Sequence, residues 1–114
     1  MNWENILKRS GDRKKINMPL LREALQTATA SLDEFTLSQI SPIAKELYRE
    51  YLIRDGVFPN VSNAHRHAET IFKAGRQASF LGRVINSLGV HTPSKRRKIL
   101  PSGMTETIYT RQEE

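Results

Sequence analysis

Arg76, Gln77, Ser79, Arg83, Asn86 and Ser87 stand together in one stretch of the chain and carry the side chains that read nucleic acid. An arginine fork bonds guanine in bidentate fashion, Gln and Asn bond adenine the same way, and serine reaches phosphate. Their apolar complement is Phe80, Leu81, Val84, Ile85 and Leu88, spaced i, i+1, i+4, i+5 and i+8. That spacing predicts a helix over 77–88 with these residues inward and the polar set on its other face, Arg76 lying at its mouth. Gly82 would let another backbone come close.

Lys73 lies upstream of this helix, and Lys95, Arg96, Arg97 and Lys98 lie downstream. As phosphate contacts on duplex DNA, each neutralised charge would add about −0.9 to the slope of log affinity against log salt. Two other readings of the basic run compete. A nuclear-localisation tetrad has the same composition and many chance matches. A solvated strand edge would use the same cations to block edge-to-edge pairing. The charge profile favours phosphate. Residues 57–104 carry eight basic residues against one acid, while the whole chain has a formal net charge of +6. A field of that sign attracts polyanions whatever the fold.

Other chemistries find little support. His65 and His67, at i and i+2, point to different sides of a helix. Neither cysteine nor a well-placed carboxylate completes a metal site with them. The chain has no Gly-rich phosphate loop, nucleophile elbow or His-Glu-x-x-His motif. Asp33 and Glu34 read as helix-entry charges near a positive dipole end. Tyr48 and Tyr51 could stack bases, but their phase with Ile43, Leu47 and Leu52 predicts core packing. The expectation is a protein with no catalytic role, no cofactor, no metal and no small-molecule substrate.

The elements that must position the binding set can be read from caps and periods. Residues 1–16 predict an N-terminal arm, with Trp3, Ile6 and Leu7 at helical spacing and a basic stretch, including Arg13, Lys14 and Lys15, behind them. Residues 17–111 form the expected domain and 112–114 a polar tail. Asn17 is a good N-cap with Pro19 in the first turn. Leu20, Leu21, Ala24, Leu25 and Ala28 follow as an apolar stripe. Residues 33–40 predict a short helical turn capped by Thr36. Ser41 and Pro42 read as N-cap and first residue of a helix closed by Asp55 and Gly56, with Ile43, Leu47, Tyr48, Tyr51 and Leu52 inward. Val57 and Phe58 should fold back onto the core. Ser62 predicts a cap for a helix over 63–74, with Ala64, Ala68, Ile71 and Phe72 inward and a turn at Gly75. His91 falls in a turn before Pro93.

Beyond Pro93 the period changes. Thr105, Thr107 and Tyr109 alternate with Glu106, Ile108 and Thr110, which is strand chemistry. A hairpin of 95–100 against 105–111, turning at Pro101, Ser102 and Gly103, is predicted.

The fold class is mainly α: about four helices with a C-terminal β-hairpin, winged helix-turn-helix-like, with 63–74 and 77–88 as the helix pair and the hairpin as wing. Thr70 and Arg76 are polar where the motif is usually apolar, and a plain antiparallel helical hairpin explains the same residues. The expected function is nucleic-acid binding, DNA over RNA, in a small transcriptional regulator. The alternative is an adaptor, viral or accessory, that docks a basic face on an acidic protein. RNA or ribosome association shares the electrostatics but lacks an aromatic strand platform. Surplus apolar surface on 18–30 and 42–55 would serve a homodimer. No apolar run approaches the roughly 18 residues of a spanning helix. No membrane partner and a cytoplasmic, nucleoid or nuclear location are therefore expected.

Overall fold

A computed structural model describes residues 16–78 and 80–112, with the side chains of 74–78 outside the description. Residues 1–15 of the arm expected over 1–16, and Ser79, thus lie outside the described residues. Four helices and a three-stranded antiparallel sheet make up the described fold.

Asn17 caps α1 (Met18–Thr29), accepting from the Leu20 amide at 3.2 Å. Pro19 falls in the first turn, where amide hydrogens lack helical partners. Leu20, Leu21, Ala24, Leu25 and Ala28 are all buried, as the stripe requires.

The next segment departs from expectation. Glu34–Phe35 is a strand, β1, in place of a helical turn. Two residues are too few to show a period. They extend because β3 lies beside them, Phe35 opposite Tyr109 with their rings stacked at 5.6 Å.

Thr36 does cap a helix, α2 (Leu37–Arg54), by accepting from the Gln39 amide. That helix starts well before the expected Ser41–Pro42 entry. Ser41 Oγ donates back to the Leu37 carbonyl at 2.6 Å instead of capping. Pro42 is tolerated inside the helix at the cost of one backbone bond. Its buried face is Ile40, Ala44, Tyr48 and Leu52, and Ile43, expected inward, stands exposed. Gly56, at φ 67°, closes α2, and Phe58 folds back into the core.

Asn60, not Ser62, caps α3 (Val61–Ala78), accepting from the Asn63 amide at 2.8 Å. The turn predicted at Gly75 is absent. Helix α3 runs unbroken through it, and the second helix of the pair, α4, spans Phe80–Ser87. An interior glycine costs a helix only about 1 kcal/mol relative to alanine and does not by itself break it. Arg76 and Gln77 therefore belong to the last turn of α3, not to the entry of α4. Gly89, at φ 77°, ends the turn that follows α4.

Inside the bundle, Tyr48 and His67 are fully buried and meet through Tyr48 Oη and His67 Nε2 at 2.9 Å. The Asn17 amide donates to the same hydroxyl at 3.1 Å, so the N-cap of α1 is tied to the middle of α2. Phe58 lies against the His67 ring at 5.0 Å. His67 is thus one of the pillars of the core.

The hairpin is formed by β2 (His91–Ile99) and β3 (Thr105–Arg111), and the sheet order is β1-β3-β2. Its turn follows the prediction: Gly103, at φ 86°, donates to the Leu100 carbonyl, and the Leu100 amide donates to Met104. His91, expected in a turn, is instead buried as the first residue of β2, with Nε2 2.6 Å from the Leu32 carbonyl. Arg111 ties the far end of β3 to the loop after α1, through Asp33 at 3.1 Å and the carbonyls of Ala30 and Leu32.

Candidate nucleic-acid interface

Strand β2 is shaped by one irregularity. Pro93 lies opposite Tyr109 and Arg97 opposite Thr107, so Ser94, Lys95 and Arg96 pass Ile108 alone. Ser94 stitches this bulge, donating to the Ile108 carbonyl at 2.6 Å and accepting from the Arg96 amide at 3.2 Å. Bulges bend a strand, sharpen its twist and re-aim its side chains. The sequence shows only a serine after a proline there, so nothing in the local pattern announces the bulge.

All four basic side chains of residues 95–98 are exposed. Arg96 is ion-paired with Glu34 of β1. Among the described residues Lys95, Arg97 and Lys98 form no ion pair, although Glu106 stands across the ladder from Lys98. That carboxylate is engaged elsewhere. Its Oε1 accepts from the Ser38 amide at 3.1 Å and the Ser38 hydroxyl at 2.5 Å. An anion there sits well at the start of α2, where amide hydrogens and the helix dipole both favour it. Glu106 braces the hairpin to the bundle and makes no ion pair with the Lys98 opposite it.

The brace also brings Lys73 to the hairpin. Lys73 is exposed on α3 and lines a cleft of about 590 Å³ together with Lys45, Glu69 and Glu106. Lys45 is spoken for: its Nζ lies 2.7 Å from Glu69 and holds that carboxyl below the usual carboxylate range. Lys73 forms no ion pair among the described residues.

Helix α4 is placed by its glycine. A Cβ at Gly82 would lie 2.3 Å from the Tyr109 hydroxyl. The bare backbone is thus needed for close packing on β3, not for an external ligand. With Phe80, Leu81, Val84 and Ile85 buried, Arg83 and Asn86 share the exposed side at i, i+3. Ser87 belongs to the fold, accepting from Arg22 at 2.7 Å and donating to the Val84 carbonyl. The helix contacts β2, into which the chain leads directly. Of the expected binding set, then, Arg83, Asn86, Lys73 and residues 95–98 are exposed. Arg76 and Gln77 lie at the end of α3 with side chains outside the description.

Two residues of this region escaped sequence reasoning. Ile99 and Met104, on either side of the hairpin turn, are 75% and 70% exposed. Their apolar character fits a strand pattern, so only their lack of cover distinguishes them. Among the described residues no group of His, Asp or Glu is arranged to hold a metal ion, and no helix is long and apolar enough to cross a membrane.

No protein-family model, no curated protein and no solved structure matches this chain.

Proposed function

We propose that the chain binds double-stranded DNA as a small regulatory protein without a catalytic role. Its fold is read as winged-helix-like, with α4 as the groove-facing helix and the β2–β3 hairpin as the wing. The observation that carries this reading is the exposed basic strand: among the described residues Lys95, Arg97 and Lys98 form no ion pair, and they follow directly after α4. Cations on a braced hairpin are already held apart for phosphate contact, so little ordering cost remains at binding. The order of elements supports it too. A short strand between the first two helices completes the sheet of a C-terminal hairpin, which seats the hairpin against the bundle beside α4. Arg83 and Asn86 are the residues of α4 proposed to reach base edges, with Lys73, Arg76 and Gln77 contributing from the end of α3.

The test is a salt titration of affinity by fluorescence anisotropy on a mixed-sequence duplex. Replacing Arg97 and Lys98 with Ala should flatten the log–log slope by about two units. Arg96→Ala should change it less, because Glu34 already neutralises that side chain. An unchanged slope in the double variant would remove the wing from the interface. Retention of a protein partner after nuclease treatment, with no duplex binding at low salt, would favour an acidic protein surface instead.

A further inference from the structure

The tip of the hairpin is apolar where a solvated turn is normally polar. Ile99 and Met104 flank it, and Pro101 sits between them, exposed along with Ser102 and Gly103. The turn is well defined. The Leu100 amide donates to Met104 at 2.8 Å, Gly103 donates back to Leu100 at 2.9 Å, and Ser102 Oγ receives the Met104 amide. This is a formed point carrying three uncovered apolar residues. Ile43 and Ile53 are exposed as well, at 52% and 37%, but among the described residues Ile99 and Met104, at 75% and 70%, are the most exposed of the large hydrophobic side chains, and they stand together at one turn.

Position decides what would cover it. The tip continues directly from the exposed cations of β2, Ile99 lying one residue past Lys98 and two past Arg97. At about 3.3 Å per residue, Ile99 lies roughly 3–7 Å along the strand from these cations, on the scale of the roughly 6 Å width of the minor groove. The partner must offer an apolar surface flanked at that distance by negative charge. A base step between its phosphates has that pattern, and Ile, Met and Pro are among the side chains used to wedge such steps apart.

We propose that Ile99, Pro101 and Met104 form a wedge that enters the minor groove at a flexible base step and bends the duplex, while Arg97 and Lys98 hold the flanking phosphates. This inference rests on the DNA-binding reading above. It adds that the protein deforms its target, and that it favours easily unstacked pyrimidine–purine steps over stiff A-tracts.

The experiment uses the full chain and a duplex with central TA steps, labelled at both ends for energy transfer and carrying 2-aminopurine beside one step. Binding should raise both energy transfer, reporting a bend of about 20–90°, and 2-aminopurine fluorescence, reporting unstacking. An Ile99→Ser/Met104→Ser variant should fold normally, because both side chains are already in solvent. It should keep its salt slope within about half a unit of the parent's and lose both signals. A parent complex that binds with a steep salt slope but neither bends nor unstacks the duplex overturns the wedge and leaves DNA binding standing. So does a tip variant that bends DNA as well as the parent, or one whose only loss is of binding to anionic phospholipid vesicles. Flat anisotropy on every duplex at low salt overturns the DNA-binding reading itself, and the wedge with it.

Discussion

The helical bundle and the hairpin treat the same kinds of residue in opposite ways. The bundle buries even polar groups, closing Tyr48 and His67 against each other and tying Asn17 to them. The hairpin leaves most of β2 in solvent, including four consecutive cations and an isoleucine. Burial in the bundle satisfies its polar atoms, so its residues are explained by stability. Those of β2 from Lys95 onward are not. Three cations that form no ion pair among the described residues and an uncovered apolar point contribute little to folding, and it is these that the DNA-binding proposal uses. Between the two regions stand a few anchors: Tyr109 on Phe35 and Gly82, Glu106 on Ser38, and Arg111 on Asp33.

The division can be broken most forcefully from the bundle side. Leu21 is fully buried, and Leu21→Ala should cost about 2–5 kcal/mol of stability in denaturant unfolding. Arg97→Ala should cost less than about 0.5 kcal/mol in the same assay. A comparable loss in both would mean that the basic strand serves the fold after all.

The anchors give a sharper test. Gly82→Ala places a Cβ against the Tyr109 hydroxyl, 2.3 Å away, and overpacking of that kind costs about 1–3 kcal/mol. In a Tyr109→Phe background the obstructing oxygen is gone, and alanine's better helix propensity should cancel most of the penalty. A cost that persists in the double variant would place the strain elsewhere.

A smaller effect lies in alkali. Burial pushes the Tyr109 phenol above its ordinary value of 10.0. The folded state therefore keeps this proton where the unfolded chain has lost it, and stability should fall as pH rises above about 10. Tyr109→Phe should show a shallower alkaline decline in thermal melts from pH 8 to 11. Equal declines would separate the joint between sheet and bundle from this group.

Much of the architecture was legible because its signals are local. Asn17 and Pro19 opened α1, Gly56 closed its turn with positive φ, and Gly103 shaped the hairpin. The expected turn at Gly75 failed for an instructive reason. Gly56 and Gly89 end helices by adopting a left-handed conformation, whereas Gly75 continues one, and composition alone does not separate these uses. Ser41 and Pro42 misled in the same way. The pair has the look of a helix entry, yet the serine hydroxyl turned back to Leu37 and the proline cost one bond that α2 could spare. The residues proposed for binding were legible as types. Which of them remain un-neutralised was not, because Glu34 and Glu106 reach their partners from distant parts of the chain.

By itself the sequence determined the apolar stripes of α1, α3 and α4, the caps at Asn17, Thr36 and Gly56, the hairpin and the concentration of positive charge in 57–104, since each depends on neighbours within a few residues. Only the tertiary structure decided that Phe35 becomes a strand, that His67 and His91 are interior, that Gly82 makes room for Tyr109, and that Ile99 and Met104 stay uncovered. Burial and strand pairing depend on what arrives from far along the chain, and no local spacing carries that information.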